Sequence, residues 1–305
     1  MKFIKNKCPV CENDTKKKLV YKKNLPSDIK KVDYSGRKTP DNYHYQMVRC
    51  LDCNLLLADE IYDNETIISL YKRSNFDYFG ELDGLKKTYS NLFNYICKFN
   101  IKKGSFLDVG CANGFLLEKA KEFGFINISG SEISLKAIDS AEGSIKKFIH
   151  QGPFKANIFD KESFDVIFFA MIIEHFQDPN TFLKDAYKIL KPGGMLIGIT
   201  HDENHILARI LKNKHPIIND EHISVFDKNT LEKIMKKHYF KVLKVGNLRN
   251  YYSIEYWFKM MPFINVIRNI ILKVLIICKI NKKLLGLKAG NIYIICKKNN
   301  NEQVV

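Results

Sequence analysis

The ten residues Phe106–Phe115 constrain the fold of this 305-residue chain more than any other segment. An apolar run ends at Asp108, and two glycines four positions apart, Gly110 and Gly114, precede an amphipathic stretch. This order predicts a β-strand, a tight loop and the N-terminus of an α-helix, which together can bind a nucleotide-like cofactor. The alternative is a glycine turn that only connects the strand to the helix.

The charge of Asp108 discriminates between cofactors. A dinucleotide would bring its pyrophosphate to this turn, where the carboxylate would repel it. S-adenosylmethionine (SAM) has no phosphate and bears an ammonium and a sulfonium, so the carboxylate would attract it. The spacing agrees, because Gly110 and Gly114 fit D-x-G-x-x-x-G, whereas G-x-G-x-x-G would need glycine at Ala112 and a third beyond it. The segment therefore favours SAM.

A second acid follows at the distance at which such folds contact a ribose. Residues 126–133 predict a strand that ends at Glu132, 22 residues after Gly110. A carboxylate at this position can accept hydrogen bonds from both ribose hydroxyls. Ser134 then has the residue type of a helix N-cap. We therefore predict that Glu132 binds the ribose, although a lone acid at a strand end is otherwise a solvated loop residue.

Three later motifs extend the pattern, namely F-D-V-I in the apolar run 163–170, E-H-F-x-D-P at 174–179 and L-K-P-G-G at 190–194. Together with the glycine loop, they resemble the class I SAM-dependent methyltransferases across residues 100–200. The resemblance implies an α/β fold with a Rossmann-like seven-stranded sheet, mostly parallel with the last strand antiparallel, and an enzyme of the EC 2.1.1 type. The cofactor-binding residues that it implies are Asp108, Gly110, Cys111, Ala112, Asn113, Gly114, Glu132, Ile133, Asn157 and Ala170.

Two positions depart from the family pattern. Ala112 stands where the family usually has glycine, which reduces the space beside the cofactor. The family also has an acid at the end of the third strand that binds the adenine amine, and residues 150–157 contain none. Asn157 or a backbone group would take that role.

Four of the eight cysteines form two C-x-x-C pairs, Cys8 with Cys11 and Cys50 with Cys53. Two such pairs can supply four thiolates at the ~2.3 Å that zinc prefers. Free thiols and a redox pair are the alternatives, but a redox C-x-x-C normally occurs once, at the start of a helix. We predict a structural zinc in a small ribbon-like module at 1–80, followed by a methyltransferase domain at 81–305.

The cysteine pairs and the aromatic residues after them, at 59–79, resemble the zinc-binding front end of methyltransferases that act on sugars and other small molecules. In those proteins the module covers the active site and helps to form the acceptor pocket. The segment E-H-x-x-x-F at 221–226 is also similar to the family, and the strand at 291–296 would be the antiparallel seventh strand.

Two histidines are candidates for the base that a hydroxyl acceptor needs. His175 and His222 both lie in motifs that are expected at the rim of the pocket. Each has a simpler alternative, since His175 can organise the loop after the fourth strand and His222 can pack in the interior. His201 is a weaker candidate, and Glu174 is expected to shape the loop rather than to take a proton.

A hydrophobic helical insertion is predicted at about 251–287. Residues 263–280 are mostly apolar, but charged and amide side chains interrupt them, whereas a membrane-spanning helix needs ~20 residues with few or no charges. Two possibilities remain, a helix packed on the protein or on a second copy in a homodimer, and a helix lying in a membrane interface. We expect Ile267, Ile271 and Val274 at the middle of its apolar face.

Composition narrows the partners without choosing one. A net charge of +16 attracts phosphorylated metabolites, nucleic acid and anionic membranes alike. No secretory signal and no disulfide framework is evident, so we expect a cytoplasmic protein, either free or peripheral at the membrane surface.

The leading functional hypothesis is methyl transfer to a small-molecule acceptor, a sugar or a glycan or glycolipid precursor, including a lipid-linked glycan. An RNA base methyltransferase is the alternative, but no basic stripe with interleaved aromatics supports it. A catalytically silent binding protein is a further alternative, against which the intact glycine loop and Glu132 argue.

Overall fold

The described residues, which are 2–28, 30, 32, 34, 41–73, 80–261 and 265–299, form fifteen strands and ten α-helices in this computed structural model. The strands are β1 (Phe3–Lys5), β2 (Lys17–Tyr21), β3 (Met47–Cys50), β4 (Leu56–Ala58), β5 (Glu60–Tyr62), β6 (Ser105–Val109), β7 (Asn127–Glu132), β8 (Ile149–Gln151), β9 (Phe164–Ala170), β10 (Leu190–His201), β11 (Ser224–Val225), β12 (Phe240–Asn247), β13 (Asn250–Ser253), β14 (Leu284–Leu287) and β15 (Asn291–Lys298). The helices are α1 (Asn64–Arg73), α2 (Leu82–Ile96), α3 (Phe115–Glu122), α4 (Leu135–Asp139), α5 (Gly143–Lys146), α6 (Pro179–Ile189), α7 (Ile206–Leu211), α8 (Lys228–Lys237), α9 (Ile254–Met260) and α10 (Asn265–Ile277).

A seven-stranded sheet in the spatial order β12-β15-β10-β9-β6-β7-β8 forms the centre of the molecule. Strands β8, β7, β6, β9 and β10 pair in parallel, whereas β15 lies antiparallel between β10 and β12. The predicted fold class is therefore confirmed. The chain reverses its direction of travel across the sheet between β6 and β9, and the crevice at the carboxyl ends of these strands is where such sheets bind ligands.

Apolar side chains cover both faces of this sheet. Val166 and Phe168 of β9 pack with residues of α2 and α3, whereas Ile167 and Phe169 pack on the opposite face with residues of α6 and α8. This alternation follows from the two-residue period of a strand. It also explains why β9 is apolar almost throughout, since a parallel strand between two helical layers has no solvated face.

The amino-terminal residues form a separate sheet that a strand from the carboxy-terminal half completes. Its order is β11-β4-β3-β2, and Ser224 and Val225 of β11 pair with Leu57 and Leu56 of β4. Leu57 also belongs to the same apolar cluster as residues of β6, β9 and α8. The described amino-terminal residues therefore share a core with the seven-stranded sheet.

The insertion at 251–287 differs from the expectation of a wholly helical segment. Its two ends pair as antiparallel strands β13 and β14, with Asn250 opposite Leu287, and the described helices between them are α9 and α10. Gly286 lies directly against Tyr251, where a Cβ atom would be 2.5 Å from the ring. This close cross-strand contact stabilises a pair that the helical pattern did not predict.

No helix among the described residues is both long and apolar enough to cross a membrane, and α10 has 13 residues. Phe263, with which the predicted apolar run begins, lies outside the described residues. The L-K-P-G-G motif is part of β10 and coincides with an irregularity in the pairing of this strand with β9.

Candidate functional site

The loop between β6 and α3 is a left-handed turn that demands glycine at two positions. Gly110 and Gly114 have φ of 73° and 74°. A Cβ atom at Gly110 would lie 2.7 Å from the Ile172 side chain, and one at Gly114 would lie 2.6 Å from Ile145. Ala112 also has a positive φ, 51°, which costs a residue with a Cβ about 1 kcal/mol. The glycine usual in the family would avoid that cost.

Glu132, at the end of β7, holds this loop in place. Its Oε2 accepts a hydrogen bond from the Ala112 amide at 2.9 Å, and its Oε1 accepts one from the Ser134 amide at 2.8 Å. The Ser131 carbonyl accepts bonds from the Gly110 and Cys111 amides. Glu132 therefore organises the loop, a role beyond the predicted ribose contact, and each carboxylate oxygen keeps a second lone pair for a ligand.

The two acids of the loop make an electronegative site. Asp108 is only 4% exposed, and burial together with the neighbouring Glu132 charge raises its pKa well above the usual range. Burial also raises the pKa of Glu132, against the hydrogen bonds from the amides. A cation bound here would stabilise the charged form of both carboxylates and so lower their pKa values. The two carboxylates therefore fit the ammonium and sulfonium of SAM and disfavour a pyrophosphate.

The remaining predicted cofactor residues have different environments. Cys111 is buried, and its Sγ would be 2.5 Å from a Cβ atom on Gly130, so it packs against β7. Asn113 accepts a hydrogen bond from the Phe115 amide at the start of α3. Ile133 and Ala170 are half-buried just after β7 and at the end of β9, and Asn157 is exposed in a 3-10 turn beyond β8. A contact between Asn157 and adenine stays a prediction.

Two E-H pairs that are distant in sequence meet beside the crevice. Glu174 and His175 lie in a 3-10 turn immediately after β9, and His222 lies just before β11. The Ile223 amide donates to the Glu174 carbonyl at 2.8 Å and joins the two segments. The His222 ring is 4.8 Å from the His175 ring and 5.0 Å from the His201 ring, between centroids. The structure thus brings both predicted catalytic histidines together.

Burial decides the protonation of this cluster. It lowers the pKa of His175 to about 3 and that of His201 to about 4, so both imidazoles are neutral near pH 7. It raises the pKa of Glu174, which is 1% exposed, to about 7. A histidine with so low a pKa is a weak base, whereas a carboxylate near 7 is well matched to proton transfer.

Two further residues of this cluster, Tyr71 and Thr200, were not predicted from the sequence. The Tyr71 hydroxyl lies 2.8 Å from His175 Nδ1, and the Thr200 hydroxyl donates to Glu174 Oε2 at 2.8 Å. Tyr71 belongs to the aromatic stretch at 59–79, and this was the only sequence feature that indicated a place for Tyr71 near the acceptor pocket. Thr200 had none, because its role depends on the register of β10 against β9.

The four paired cysteines converge as predicted for a metal site. Their Sγ atoms lie within 4.8 Å of one another, and the Cys8–Cys53 and Cys11–Cys50 distances are both 3.3 Å. A tetrahedron with ~2.3 Å bonds separates its sulfurs by ~3.8 Å, so small shifts would admit zinc. Both pairs use the same turn, in which the Glu12 and Asn54 amides donate to the carbonyls of Cys8 and Cys50. The four residues fit zinc.

Known proteins resemble this chain chiefly over the large sheet. A family model described as a methyltransferase domain matches residues 83–245. Ubiquinone biosynthesis O-methyltransferases from Parvibaculum lavamentivorans and Caulobacter vibrioides are 35% identical over 95 residues and 36% identical over 101 residues. These matches cover 30% and 31% of this chain and 38% and 39% of the relatives. The chain thus spans about two fifths of the length of the curated relatives that it matches.

Solved structures with a similar arrangement include a SAM-dependent methyltransferase from Archaeoglobus fulgidus. It is 20% identical, with coverage of 77% of this chain and 100% of that chain and a TM-score of 0.48. A geranyl diphosphate C-methyltransferase from Streptomyces coelicolor is 12% identical, with coverage of 77% and 83% and a TM-score of 0.46.

Proposed function

Because this chain belongs to the methyltransferase-domain family, whose model spans 163 of its 305 residues, we propose that it transfers a methyl group from SAM to an oxygen of a small-molecule acceptor. The observation that supports this most is the contact between Gly110 of the glycine loop and Ile172, two residues before Glu174. It sets the proposed cofactor site beside the cluster of histidines and carboxylates.

The loop residues bind and orient the cofactor in this proposal. Asp108 and Glu132 provide the negative field that attracts its cationic groups, and Glu132 also receives the ribose hydroxyls. The left-handed turn at Gly110 and Gly114 leaves backbone in place of side chains next to the ligand. SAM supplies an electrophilic methyl carbon on a sulfonium sulfur.

The cluster positions the acceptor for an in-line displacement. The acceptor oxygen would attack the methyl carbon, so that an O–C bond would form while the S–C bond breaks with its electron pair going to sulfur. The hydroxyl proton would leave toward Glu174, the group of the cluster whose pKa suits proton transfer, and then to water. Burial of the cluster excludes water that would compete for the methyl group.

Two observations bear on the class of acceptor, and they favour different classes. The resemblance of the cysteine module favoured a sugar or glycan precursor, but the curated relatives that match the chain are named for ubiquinone biosynthesis. Their name supports O-methylation and an acceptor of that kind over a sugar. RNA remains an alternative substrate, and SAM binding without turnover remains an alternative function.

The deciding experiment measures transfer of labelled methyl from SAM. The zinc-loaded protein is incubated separately with quinone precursors, sugar nucleotides, glycolipids and RNA, and labelled products are identified by mass spectrometry. We expect a labelled O-methyl small molecule, and we expect Glu132→Gln to reduce its formation. If no fraction is labelled although SAM binds, the protein is a binding protein and the proposed reaction is wrong.

We also propose that α10 and β14 attach the enzyme to an anionic lipid surface. On a helical wheel, the exposed side chains Val266, Ile267, Ile270, Val274 and Ile277 form one stripe, opposite the buried Leu275. Of the three residues expected at the middle of the apolar face, Ile267 and Val274 are 48% and 50% exposed and Ile271 is half-buried. Leu284, Leu285 and Leu287 of β14 add further exposed apolar surface.

Charge favours a lipid surface as the partner of this stripe. The described α10 sequence contains Arg268 and Lys273 and no acid, and Lys279, Lys282 and Lys283 follow it. Basic residues next to an apolar stripe are the pattern of interfacial helices, and each contributes about 1 kcal/mol near an anionic surface. A homodimer through the same surface is the competing outcome.

A further inference from the structure

Three side chains of the acceptor cluster also have the composition of a metal site. One donor atom from each of Glu174, His175 and His222 lies within 4.8 Å of the other two. Two imidazoles and one carboxylate bind zinc and non-haem iron in many enzymes, and this set leaves coordination positions open for a substrate. These residues are separate from the four cysteines.

Glu174 is the residue that most requires a cation. It is almost fully buried, and its Oε1 has no hydrogen-bond partner among the described residues. The His201 Nε2 atom lies 3.7 Å from this oxygen, beyond hydrogen-bond distance. The His201 Nδ1 atom faces Asn291 Oδ1 at 3.0 Å, so Nδ1 has the hydrogen and Nε2 presents a lone pair to Glu174. These two hydrogen-bond acceptor atoms face each other in the interior, and a cation between or beside them would stabilise them.

Neighbouring groups already orient each of the three side chains as metal ligands usually are oriented. Ile217 accepts the Nδ1 hydrogen of His222 on its carbonyl oxygen at 2.8 Å, which makes Nε2 the basic nitrogen. Tyr71 contacts His175 Nδ1, and Thr200 donates to the other carboxylate oxygen of Glu174. Such outer hydrogen bonds fix the tautomer and direction of ligating histidines and carboxylates.

We propose that Glu174, His175 and His222 bind one divalent first-row transition-metal ion, which in turn binds the acceptor oxygen. The role for the acceptor rests on the methyl transfer proposed above, whereas the binding of the ion does not. A metal ion lowers the pKa of a bound hydroxyl and fixes its direction. The ion would therefore prepare the acceptor oxygen for attack beside the glycine loop.

The test uses Mn²⁺ and the zinc-loaded full chain, because Mn²⁺ prefers carboxylate and imidazole ligands to thiolates. Electron paramagnetic resonance should detect one bound Mn²⁺ per chain. Glu174→Gln keeps the shape and removes the charge, and His222→Asn removes a ligand, so each should weaken Mn²⁺ binding at least tenfold. His238→Gln changes a buried histidine outside the cluster and should bind Mn²⁺ like the wild type. Thermal unfolding of each variant establishes that it is folded.

The role for the acceptor has its own readout. A compound with the acceptor hydroxyl should alter the spectrum of the bound Mn²⁺, whereas its O-methyl ether should not. Failure to bind Mn²⁺, or equal binding by Glu174→Gln and the wild type, overturns the metal site and leaves the proposed methyl transfer standing. If the ion binds but no acceptor is methylated, the ion site stands and the proposed function is wrong.

Discussion

The Tyr71 hydroxyl lies 2.8 Å from Nδ1 of His175, and this contact joins the amino-terminal module to the loop after β9. The two residues are 104 positions apart in the chain. Glu221 approaches the same nitrogen at 3.8 Å. The direction of the His175 ring therefore depends on side chains from two other segments of the chain.

Replacing Tyr71 by phenylalanine should impair methyl transfer without affecting the cofactor. One hydrogen bond is worth about 1 kcal/mol, so kcat/KM should fall roughly fivefold, while the SAM dissociation constant stays unchanged. Tyr95→Phe, outside the cluster, is the matched control. Equal loss of SAM affinity would show that Tyr71 supports the whole fold rather than His175.

SAM binding should depend on both acids of the loop. Calorimetry on Asp108→Ala and Glu132→Ala should show each variant losing about 1–3 kcal/mol of binding free energy, the cost of removing a charged hydrogen-bond partner. Glu132→Ala should be the weaker binder of the two, because it also releases the Ala112 amide. Glu122→Gln, on the exposed side of α3, should bind normally. Wild-type affinity in both alanine variants would contradict the cofactor site.

The cysteine cluster should hold one equivalent of zinc in protein purified without added metal. The double variant Cys8→Ser with Cys50→Ser removes one thiolate from each pair and should lose that zinc, with a lower unfolding temperature. Cys278→Ser, at an exposed single cysteine, should keep it. Unchanged metal content in the double variant would show that these thiols are not ligands.

Attachment to membranes should depend on the exposed stripe of α10. Flotation with anionic liposomes should recover the wild type at low salt and less of it at high salt. Changing Ile270, Val274 and Ile277 to serine should abolish flotation, whereas the same change at the exposed Ile206 and Ile210 of α7 should not. A dimer that dissociates on the α10 changes, with no flotation of the wild type, would identify the stripe as a subunit interface.

Acid should destabilise the protein through its buried histidines. Burial lowers the pKa of His238 from 6.5 to about 4. Between these values the unfolded chain binds the proton and the folded chain does not, so the free energy of unfolding falls as the pH drops from about 6.5 to about 4. Chemical denaturation should record this fall, and His238→Gln should reduce its slope by up to about 1.4 kcal/mol per pH unit. A variant with the wild-type slope would contradict this contribution of His238.

Local patterns were sufficient to predict the large sheet and the cofactor loop. The strands at β6, β7, β9 and β15 agree with the structure within a few residues, and helices follow β6 and β7 as expected. They are predictable because a buried parallel strand and an amphipathic helix have distinct periods, and because Gly110 and Gly114 answer a local backbone requirement. Prediction was poorer at β13 and β14, whose pairing depends on a contact between Gly286 and Tyr251.

The sequence by itself determined the elements whose causes lie within a few residues, namely the glycine turn, the strand-end acid Glu132 and the two C-x-x-C turns. Only the tertiary structure decided that Glu174, His175 and His222 meet, that Tyr71 joins them, and that the apolar stripe of α10 is exposed. The physical reason is that strand order and packing bring together residues distant in the chain. Burial in the resulting cluster, rather than residue type, then determines which side chains are charged.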